Sequence, residues 1–168
     1  MSRMPTKRLV LMRHAKSSWK SDAPTDHARP LNGRGRRDSP KVGAELARRG
    51  WVPDRVLSSD SARTRETFAR MREALGVDDD ARFTRALYHA GVDAVREALA
   101  ALDDGVETAL ILGHNPGWEE VLEWLSGEDH EMKTATCALL SVEAATWPAA
   151  VEAAGDWAVA DVIYPRSL

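Results

Sequence analysis

The sequence has a single cysteine, Cys137, among 168 residues, so no disulfide can form within the chain. That excludes a disulfide-stapled secreted scaffold and favours a reducing compartment. Basic residues are not in excess either, because the net charge is -3, which gives no indication of a nucleic-acid partner. No apolar stretch is long enough to span a membrane, and the apolar run at 9–12 is too short for a signal peptide. We therefore predict a cytoplasmic protein that has no membrane segment.

Short apolar runs alternate with helical patterns along the chain, and the apolar fraction of 43% is sufficient for one buried core. This alternation predicts an α/β fold, a single domain over residues 1–168 built as a three-layer α/β/α sandwich with a mostly parallel central sheet. The predicted strands are 8–13, 55–57, 82–87, 108–112, 137–142 and 157–163. The predicted helices are 33–49, one capped by Ser59 or Asp60, 93–102, and one from Pro116 to Gly127. The predicted loops include 17–32 and Trp147-Pro148.

Polar residues follow three of the predicted strands. The first strand ends in Arg13-His14, the second is followed by Arg63, and the fourth is followed by His114-Asn115. Because ligands of parallel sheets bind at the carboxyl ends of the strands, we expect two histidines and at least two arginines at one edge. Arginine presents a planar set of donors to phosphate oxygens, and imidazole can attack phosphorus or donate to its oxygens. Each residue alone is ordinary, but together they predict a site for a phosphoryl group.

Four motifs resemble those of the histidine phosphatase superfamily, which includes the phosphoglycerate mutases. In chain order they are Arg13-His14, Arg29-Pro30-Leu31-Asn32-Gly33, Leu57-Ser58-Ser59-Asp60-Ser61-Ala62-Arg63-Thr64-Arg65-Glu66-Thr67 and Gly113-His114-Asn115. The second is similar to the Arg-Pro-Leu segment of the branch typified by the SixA phosphohistidine phosphatases. The resemblance extends from about residue 8 to residue 124 and implies a phosphoglycerate mutase-like fold.

The resemblance also implies roles for individual residues. His14 would be the nucleophile that takes the phosphoryl group from the substrate and passes it to water. Arg13, Arg63 and His114 would hold the phosphoryl oxygens and stabilise the transition state, and Arg29 would be a further phosphate contact. Nearby guanidinium charges disfavour an imidazolium and so help to keep such a nucleophile neutral. The remaining candidates for substrate contacts are Ser17, Asn115, Tyr88 and His89.

The five histidines show no metal-ligand spacing such as His-x-x-x-His. Phosphoryl transfer to histidine also needs no metal, because it depends on positioning and on charge stabilisation by the protein. We therefore expect neither a metal nor another cofactor, and activity that survives chelation.

Two positions depart from the superfamily pattern. Ala15 stands where a glycine usually follows Arg-His, and the segment 85–91 has no carboxylate where many relatives carry a glutamate proton donor. An alkoxide leaving group needs a proton during cleavage, whereas the nitrogen of a phosphoramidate can be protonated beforehand. The missing acid therefore favours phosphohistidine on a protein as the substrate. Tyr88 or His89 could replace the acid, or they could simply pack and cap a loop.

Other functions remain open at this level. One is a phosphatase for a small phosphoester such as a sugar phosphate or a nucleotide. A mutase would need a second phosphate site and a proton donor, and a phosphate-binding module would have lost turnover altogether. The basic cluster at 33–37 either is a solvated helix face or attracts an acidic or phosphorylated partner. Trp19 either lines the site or belongs, like most of the tryptophans, to the packing of the protein.

Overall fold

The computed structural model describes residues 4–168, so residues 1–3 of the predicted domain lie outside the described part. A central sheet of six strands has the order β3-β2-β4-β1-β5-β6. The strands are β1 (Thr6–Arg13), β2 (Arg55–Ser59), β3 (Ala81–Thr84), β4 (Thr108–Gly113), β5 (Cys137–Glu143) and β6 (Ala158–Ile163). The helices are α1 (Gly33–Arg48), α2 (Ala62–Leu75), α3 (Val92–Ala100), α4 (Gly117–Ser126) and α5 (Trp147–Glu152), with 3₁₀ turns at Arg85–Leu87 and Pro165–Ser167.

The sheet is covered by helices on both faces, as predicted. Successive side chains of a strand point to opposite faces, so Leu9 and Leu11 of β1 pack with the apolar side chains of α3, α4 and α5. Val10 and Met12 pack on the other face with those of α1 and α2. Strands β1 to β4 pair in parallel and β5 and β6 pair antiparallel, which confirms a three-layer α/β/α fold with a mostly parallel sheet.

Two predicted elements are wrong. Trp147-Pro148 is not a loop but the start of α5, because a proline in the first helical turn gives up no intrahelical hydrogen bond. The Thr146 side chain caps this helix by accepting from the N–H of Ala149 at 3.2 Å. The strand predicted at 82–87 ends at Thr84, whose hydroxyl accepts from the N–H of Ala86 at 3.2 Å and starts a 3₁₀ turn.

Several element ends also differ from the prediction. The cap of α2 is Ser61, neither Ser59 nor Asp60, and its hydroxyl accepts from the N–H of Thr64 at 3.3 Å. Pro116 is the cap of α4 and not its first helical residue. Helix α3 covers Val92–Ala100 where 93–102 was predicted. The position of Ser61 matters most, because it places Arg63 in the first turn of α2 at the carboxyl end of β2.

Parallel pairing brings the functional motifs to one edge of the sheet. Arg13 at the end of β1 is in register with Gly113 at the end of β4, and Ser58 of β2 is in register with Leu112 of β4. The residues that follow these strands therefore lie side by side. No helix in the part of the chain that the structure describes has the length and apolar content needed to cross a membrane.

Candidate active site

His14 lies directly after β1, where its backbone is held from two sides. Its N–H donates to the carbonyl of Gly113 at 3.0 Å, and its own carbonyl accepts from the N–H of Ala135 at 2.9 Å. The N–H of the next residue donates to Thr67 Oγ1 at 3.0 Å. Strands β1 and β4, helix α2 and the loop before β5 thus fix the position of an imidazole that is only 6% exposed.

The hydrogen bonding of His14 fixes its tautomer. Nδ1 lies 2.7 Å from the carbonyl oxygen of Ala15, and a carbonyl can only accept, so Nδ1 carries the proton and Nε2 carries the lone pair. Burial is the main cause of a lowered pKa of His14, and it outweighs the opposing effect of the Ala15 hydrogen bond. Together with the positive charges of Arg63, Arg13 and Arg29, burial brings this pKa to about 3. At neutral pH the ring is therefore uncharged, with Nε2 able to act as a nucleophile.

His114 follows β4, and its ring centroid lies 5.3 Å from that of His14. Its Nε2 is 2.8 Å from the hydroxyl oxygen of Ser59, which also accepts from the N–H of Ser61 at 3.3 Å. The Ser59 hydroxyl proton has no other acceptor in the described chain, and when it is donated to Nε2 the neutral ring carries its own proton on Nδ1. Nδ1 is buried and has no hydrogen-bond partner among residues 4–168. Burial, followed by the neighbouring His14 and Arg63, lowers the pKa of His114 to about 2.

Asp26, in the loop between β1 and α1, is absent from the predicted site, yet four side chains converge on it. Arg63 donates from Nη2 to Oδ2 at 3.0 Å and from Nη1 to the backbone carbonyl at 2.8 Å. Arg29 Nη2 lies 3.2 Å from Oδ1, and Tyr88 Oη and His89 Nε2 lie 2.5 and 3.1 Å from Oδ2. Burial opposes ionisation of this carboxyl, but the hydrogen bonds from Tyr88 and Arg63 prevail and hold the pKa of Asp26 well below its usual range.

Arg29 is held between this carboxylate and an aromatic ring. Its guanidinium lies over the Trp19 ring, 3.7 Å from the ring centroid, and Nη1 contacts the hydroxyl of Ser17. The Nε atoms of Arg13, Arg29 and Arg63 are all buried without a hydrogen-bond partner in the described chain. Three guanidinium donors are therefore uncommitted in one place, a composition suited to an oxyanion with several acceptor oxygens.

The opposite wall of the site is tied to the loop before β5. Arg13 Nη1 donates to the carbonyl of Met132 at 3.1 Å, and Asn115 Nδ2 donates to the same carbonyl at 2.8 Å. Asn115 Nδ2 also donates to the carboxylate of Glu119 at 3.0 Å. The Asn115 amide nitrogen is thus used within the protein, and its Oδ1 is buried without a partner among residues 4–168.

Tyr88 and His89, after the 3₁₀ turn that follows β3, form the third wall. Their ring centroids are 4.1 Å apart and lie 5.4 and 5.1 Å from that of His114. His89 has a φ of 51°, a backbone conformation that residues other than glycine adopt infrequently. Both side chains bond to Asp26, and His89 lines the cleft.

These residues surround one cleft of about 210 Å³ at the carboxyl edge of the sheet. A cavity of about 660 Å³ lies at the opposite edge and contains none of the predicted residues. Within residues 4–168, no group of three or more His, Cys, Asp and Glu side chains is arranged to hold a metal ion. The cleft is lined by Arg13, His14, Lys16, Ser17, Trp19, Asp26, Arg29, Arg63, His89, His114, Asn115 and Thr134. Tyr88 is not one of these lining residues, but its hydroxyl donates to Asp26, which is.

Ala15 fits its position without strain. It is fully buried and packs with Leu31 and the side chains between the sheet and helices α1 and α2. The non-glycine residues with positive φ in the described chain are His89 and Ala135, so the turn after His14 does not require a glycine.

We predict that the free energy of unfolding falls as the pH drops from 7 to 5. The unfolded chain binds a proton on each histidine below its ordinary pKa of about 6.5. The folded protein keeps His14 and His114 neutral down to pKa values of about 3 and about 2. The slope for each ring approaches about 1.4 kcal/mol of lost stability per pH unit once the pH is below the unfolded pKa, and the pair loses about 4 kcal/mol between pH 7 and pH 5.

Denaturant unfolding at a series of pH values measures this slope. In the double variant His14→Gln/His114→Gln the slope is expected to flatten, while His130→Gln, outside the cleft, leaves it as in the wild type. An unchanged slope in the double variant would contradict the assignment of both neutral rings.

Known proteins resemble this chain in sequence and in fold. The model of the histidine phosphatase superfamily (branch 1) matches residues 9–87. An uncharacterized chloroplastic protein of Arabidopsis thaliana is 35% identical, over 96% of this chain and 79% of its own length. A solved structure from Nakamurella multipartitia, named for the phosphohistidine phosphatase SixA, is 30% identical and covers 95% of this chain and 96% of its own, with a TM-score of 0.79. A structure of the same designation from Agrobacterium tumefaciens is 28% identical, covers 97% and 100%, and has a TM-score of 0.80.

Proposed function

The chain belongs to the histidine phosphatase superfamily, and from this membership we propose that it hydrolyses phosphohistidine on a protein through a phosphoenzyme at His14. The observation that carries the proposal is the state of the His14 ring. Its proton is held on Nδ1 by the Ala15 carbonyl, and its Nε2 is uncharged among three arginines. A neutral imidazole in a positive pocket is the arrangement that lets a nitrogen nucleophile approach an anionic phosphoryl group.

In the first step, Nε2 of His14 attacks phosphorus. The bond from phosphorus to Nε2 forms while the bond from phosphorus to the substrate nitrogen breaks, and the electron pair leaves with the substrate. Arg13, Arg29 and Arg63 donate to the equatorial oxygens from their uncommitted Nε atoms, and His114 donates from Nδ1. His14, Arg63 and His114 are buried, which strengthens these interactions.

In the second step, water attacks the phosphorylated His14. Because the proton stays on Nδ1, the phosphorylated ring is a cation, and it leaves as a neutral imidazole when the bond from phosphorus to Nε2 breaks. The attacking water loses its proton to the phosphate that forms. No proton has to be delivered to His14, which fits a site in which no acid stands beside this ring.

The state of Asp26 supports a phosphoramidate substrate. Asp26 is the only carboxylate that lines the described cleft, and its lowered pKa keeps it ionised, so it has no proton to give to a leaving group. Burial, and then Asp26 itself, raises the pKa of Tyr88, which makes this phenol a weaker acid than usual. A leaving imidazole that carries its proton before cleavage avoids the need for such an acid.

Two further observations agree with a protein substrate. The structures from Nakamurella multipartitia and Agrobacterium tumefaciens are named for a phosphohistidine phosphatase. Trp19, which lines the cleft, is 77% exposed, so the site lies open at the surface on this side. The Arabidopsis relative is named chloroplastic, and the cytoplasmic location of this chain stays a prediction.

A hydrolysis panel tests the proposal, with phosphohistidine and phospholysine peptides, sugar phosphates and nucleotides in the presence of a chelator. We expect kcat/KM for phosphohistidine to exceed that for alkyl phosphates by at least about 100-fold, the lower range of what a general acid contributes. Equal rates on a sugar phosphate or a nucleotide would indicate a small-molecule phosphatase instead. Binding of phosphate without any steady-state hydrolysis would indicate a phosphate-binding module.

A further inference from the structure

The cleft around His14 continues past Arg13 into a second depression of about 390 Å³, which we call the basic cleft. We propose that the basic cleft binds the carboxylates of an acidic segment that flanks the phosphohistidine in a protein substrate. This inference rests on the proposed function, because it describes how the same site selects its protein. The charged residues of the basic cleft are Arg13, Lys16, Arg34, Lys133 and Arg166, with Glu119 and Glu131.

Positive charge is concentrated here on a chain whose net charge is -3. Five cations face two carboxylates, and one of these, Glu119, already accepts from Asn115 Nδ2 at 3.0 Å and from the Met132 N–H at 2.8 Å. The Arg34 Nε lies 3.4 Å from a carboxylate oxygen of Asp38. Among residues 4–168, Lys16, Lys133 and Arg166 form no salt bridge. The excess charge is therefore available to a partner.

The backbone that carries these cations is fixed by close contacts. A Cβ added at Gly35 would lie 2.2 Å from the carbonyl oxygen of Lys16, so only glycine allows the start of α1 to approach this closely. The Asn32 N–H also donates to the Lys16 carbonyl, at 2.9 Å. This approach sets Arg34 beside Lys16 and explains part of the basic cluster at 33–37: Arg34 lines the cleft, whereas Arg36 pairs with Glu66 on α2 at 2.9 Å.

The other side of the basic cleft is held with equal firmness. The N–H of Thr136 donates to the Lys133 carbonyl at 3.0 Å, and the Thr136 carbonyl accepts from the N–H of Arg13 at 3.1 Å. Tyr164, just before the turn that carries Arg166, donates its hydroxyl to the carbonyl of Glu131 at 3.0 Å. Backbone held by these hydrogen bonds thus presents the charged side chains of the basic cleft next to the phosphoryl site, with which the basic cleft shares Arg13 and Lys16.

The exposure of the cations favours a protein segment over a small ligand. Arg63, in the phosphoryl site, is 2% exposed, and both of its Nη atoms donate to Asp26, whereas Arg34, Lys133 and Arg166 are exposed at the surface. Exposed lysine and arginine side chains attract a charged partner over a distance and tolerate variation in its geometry, as transient protein recognition requires. An acidic segment beside the phosphohistidine would place its carboxylates in the basic cleft while the phosphoryl group enters at His14.

The test uses two phosphohistidine peptides of equal length, one with three flanking glutamates and one with three glutamines. At low ionic strength the wild type is expected to show a kcat/KM about 10-fold higher on the glutamate peptide, the lower range of electrostatic steering. The charge-reversal variant Lys133→Glu/Arg166→Glu should lose this preference and keep its activity on the glutamine peptide. The matched control Lys41→Glu/Arg82→Glu changes the net charge equally on exposed residues outside the cleft and should keep the preference.

Four outcomes would overturn the proposal. Equal kcat/KM of the wild type on the two peptides would refute the role of the basic cleft and leave the proposed function intact. Hydrolysis of neither peptide would refute both the role of the basic cleft and the proposed function. Equal loss in the control variant would assign the effect to overall charge. The last outcome is that the wild type hydrolyses both peptides equally but is inhibited more strongly by a small bisphosphate than by the corresponding monophosphate. If Lys133→Glu/Arg166→Glu then loses this difference in inhibition, the basic cleft binds a second phosphate group and not an acidic segment.

Discussion

His14→Ala is expected to abolish both turnover and covalent labelling of the protein by a ³²P-labelled phosphohistidine peptide. Only His14 combines a proton fixed on Nδ1 by a carbonyl at 2.7 Å with a neutral Nε2 at the centre of the arginines. His114 cannot replace it, because its Nε2 is occupied by the Ser59 hydroxyl at 2.8 Å. Removal of a nucleophile from other hydrolases lowers kcat by as much as roughly 10⁶-fold, and we expect a loss of at least about 10⁴-fold.

Rapid quench followed by mass spectrometry locates the phosphoryl group. In the wild type it should reside on His14 as an acid-labile, base-stable adduct, as a bond between phosphorus and histidine nitrogen is. His130→Ala removes an imidazole outside the cleft and serves as the matched control, with labelling and turnover as in the wild type. Hydrolysis by His14→Ala at a rate near the wild type would instead point to His114 or to direct attack by water.

The sequence was sufficient to predict the part of the site that strands carry. Buried runs such as those of β1 and β4 are continuous and apolar, so their ends are easily recognised, and parallel pairing then brings the residues after them together. This is why His14, Arg63 and His114 were all predicted and all lie at one edge of the sheet. The α/β class followed from the same alternation of elements.

Site residues that lie in loops could not be predicted in this way. Asp26 lies in a long polar segment with no periodicity, and its only signal is its place three residues before Arg29. Its bonds to Arg63 and Tyr88 join positions 37 and 62 residues apart, so they exist only once helix α2 and the turn after β3 are packed. Lys16 is missed for a related reason, because its neighbours in the basic cleft come from other elements: Arg34 from the start of α1 and Lys133 from the loop before β5.

Errors in the elements had local causes. The predicted loop at Trp147-Pro148 is wrong because a proline in the first turn of α5 gives up no intrahelical hydrogen bond. The strand predicted at 82–87 is too long because the hydroxyl of Thr84 accepts from the N–H of Ala86 and starts a 3₁₀ turn. That turn directs Tyr88 and His89 toward the site, so the error concealed how these two residues reach Asp26.

Arg63→Ala is expected to lower kcat/KM on a phosphohistidine peptide by about 10²–10³-fold, the cost of removing one transition-state donor, equivalent to about 2.7–4 kcal/mol. Arg63 is 2% exposed, and both of its Nη atoms donate to Asp26, at 2.8 and 3.0 Å, while its Nε is uncommitted in the described chain. One guanidinium can therefore hold Asp26 and still donate to the phosphoryl group. Arg63→Lys keeps the charge but has a single donor atom, so it can serve only one of these partners and should recover only part of the activity.

The control for this series is Arg65→Ala, two residues along α2, where the side chain is exposed and lies over the Phe83 ring, outside the cleft. Thermal unfolding of each variant separates a loss of folding from a loss of function, because Arg63→Ala leaves the carboxylate of Asp26 without its most buried partner. Titration with inorganic phosphate gives an independent measure, and its affinity should fall in both Arg63 variants and stay unchanged in Arg65→Ala. The contradicting result is a folded Arg63→Ala whose kcat/KM stays within about 3-fold of the wild type, which is much less than the loss of a transition-state donor costs. In that case Arg63 serves only to hold Asp26. Arg13 and Arg29 would then suffice to stabilise the charge that develops on the phosphoryl oxygens.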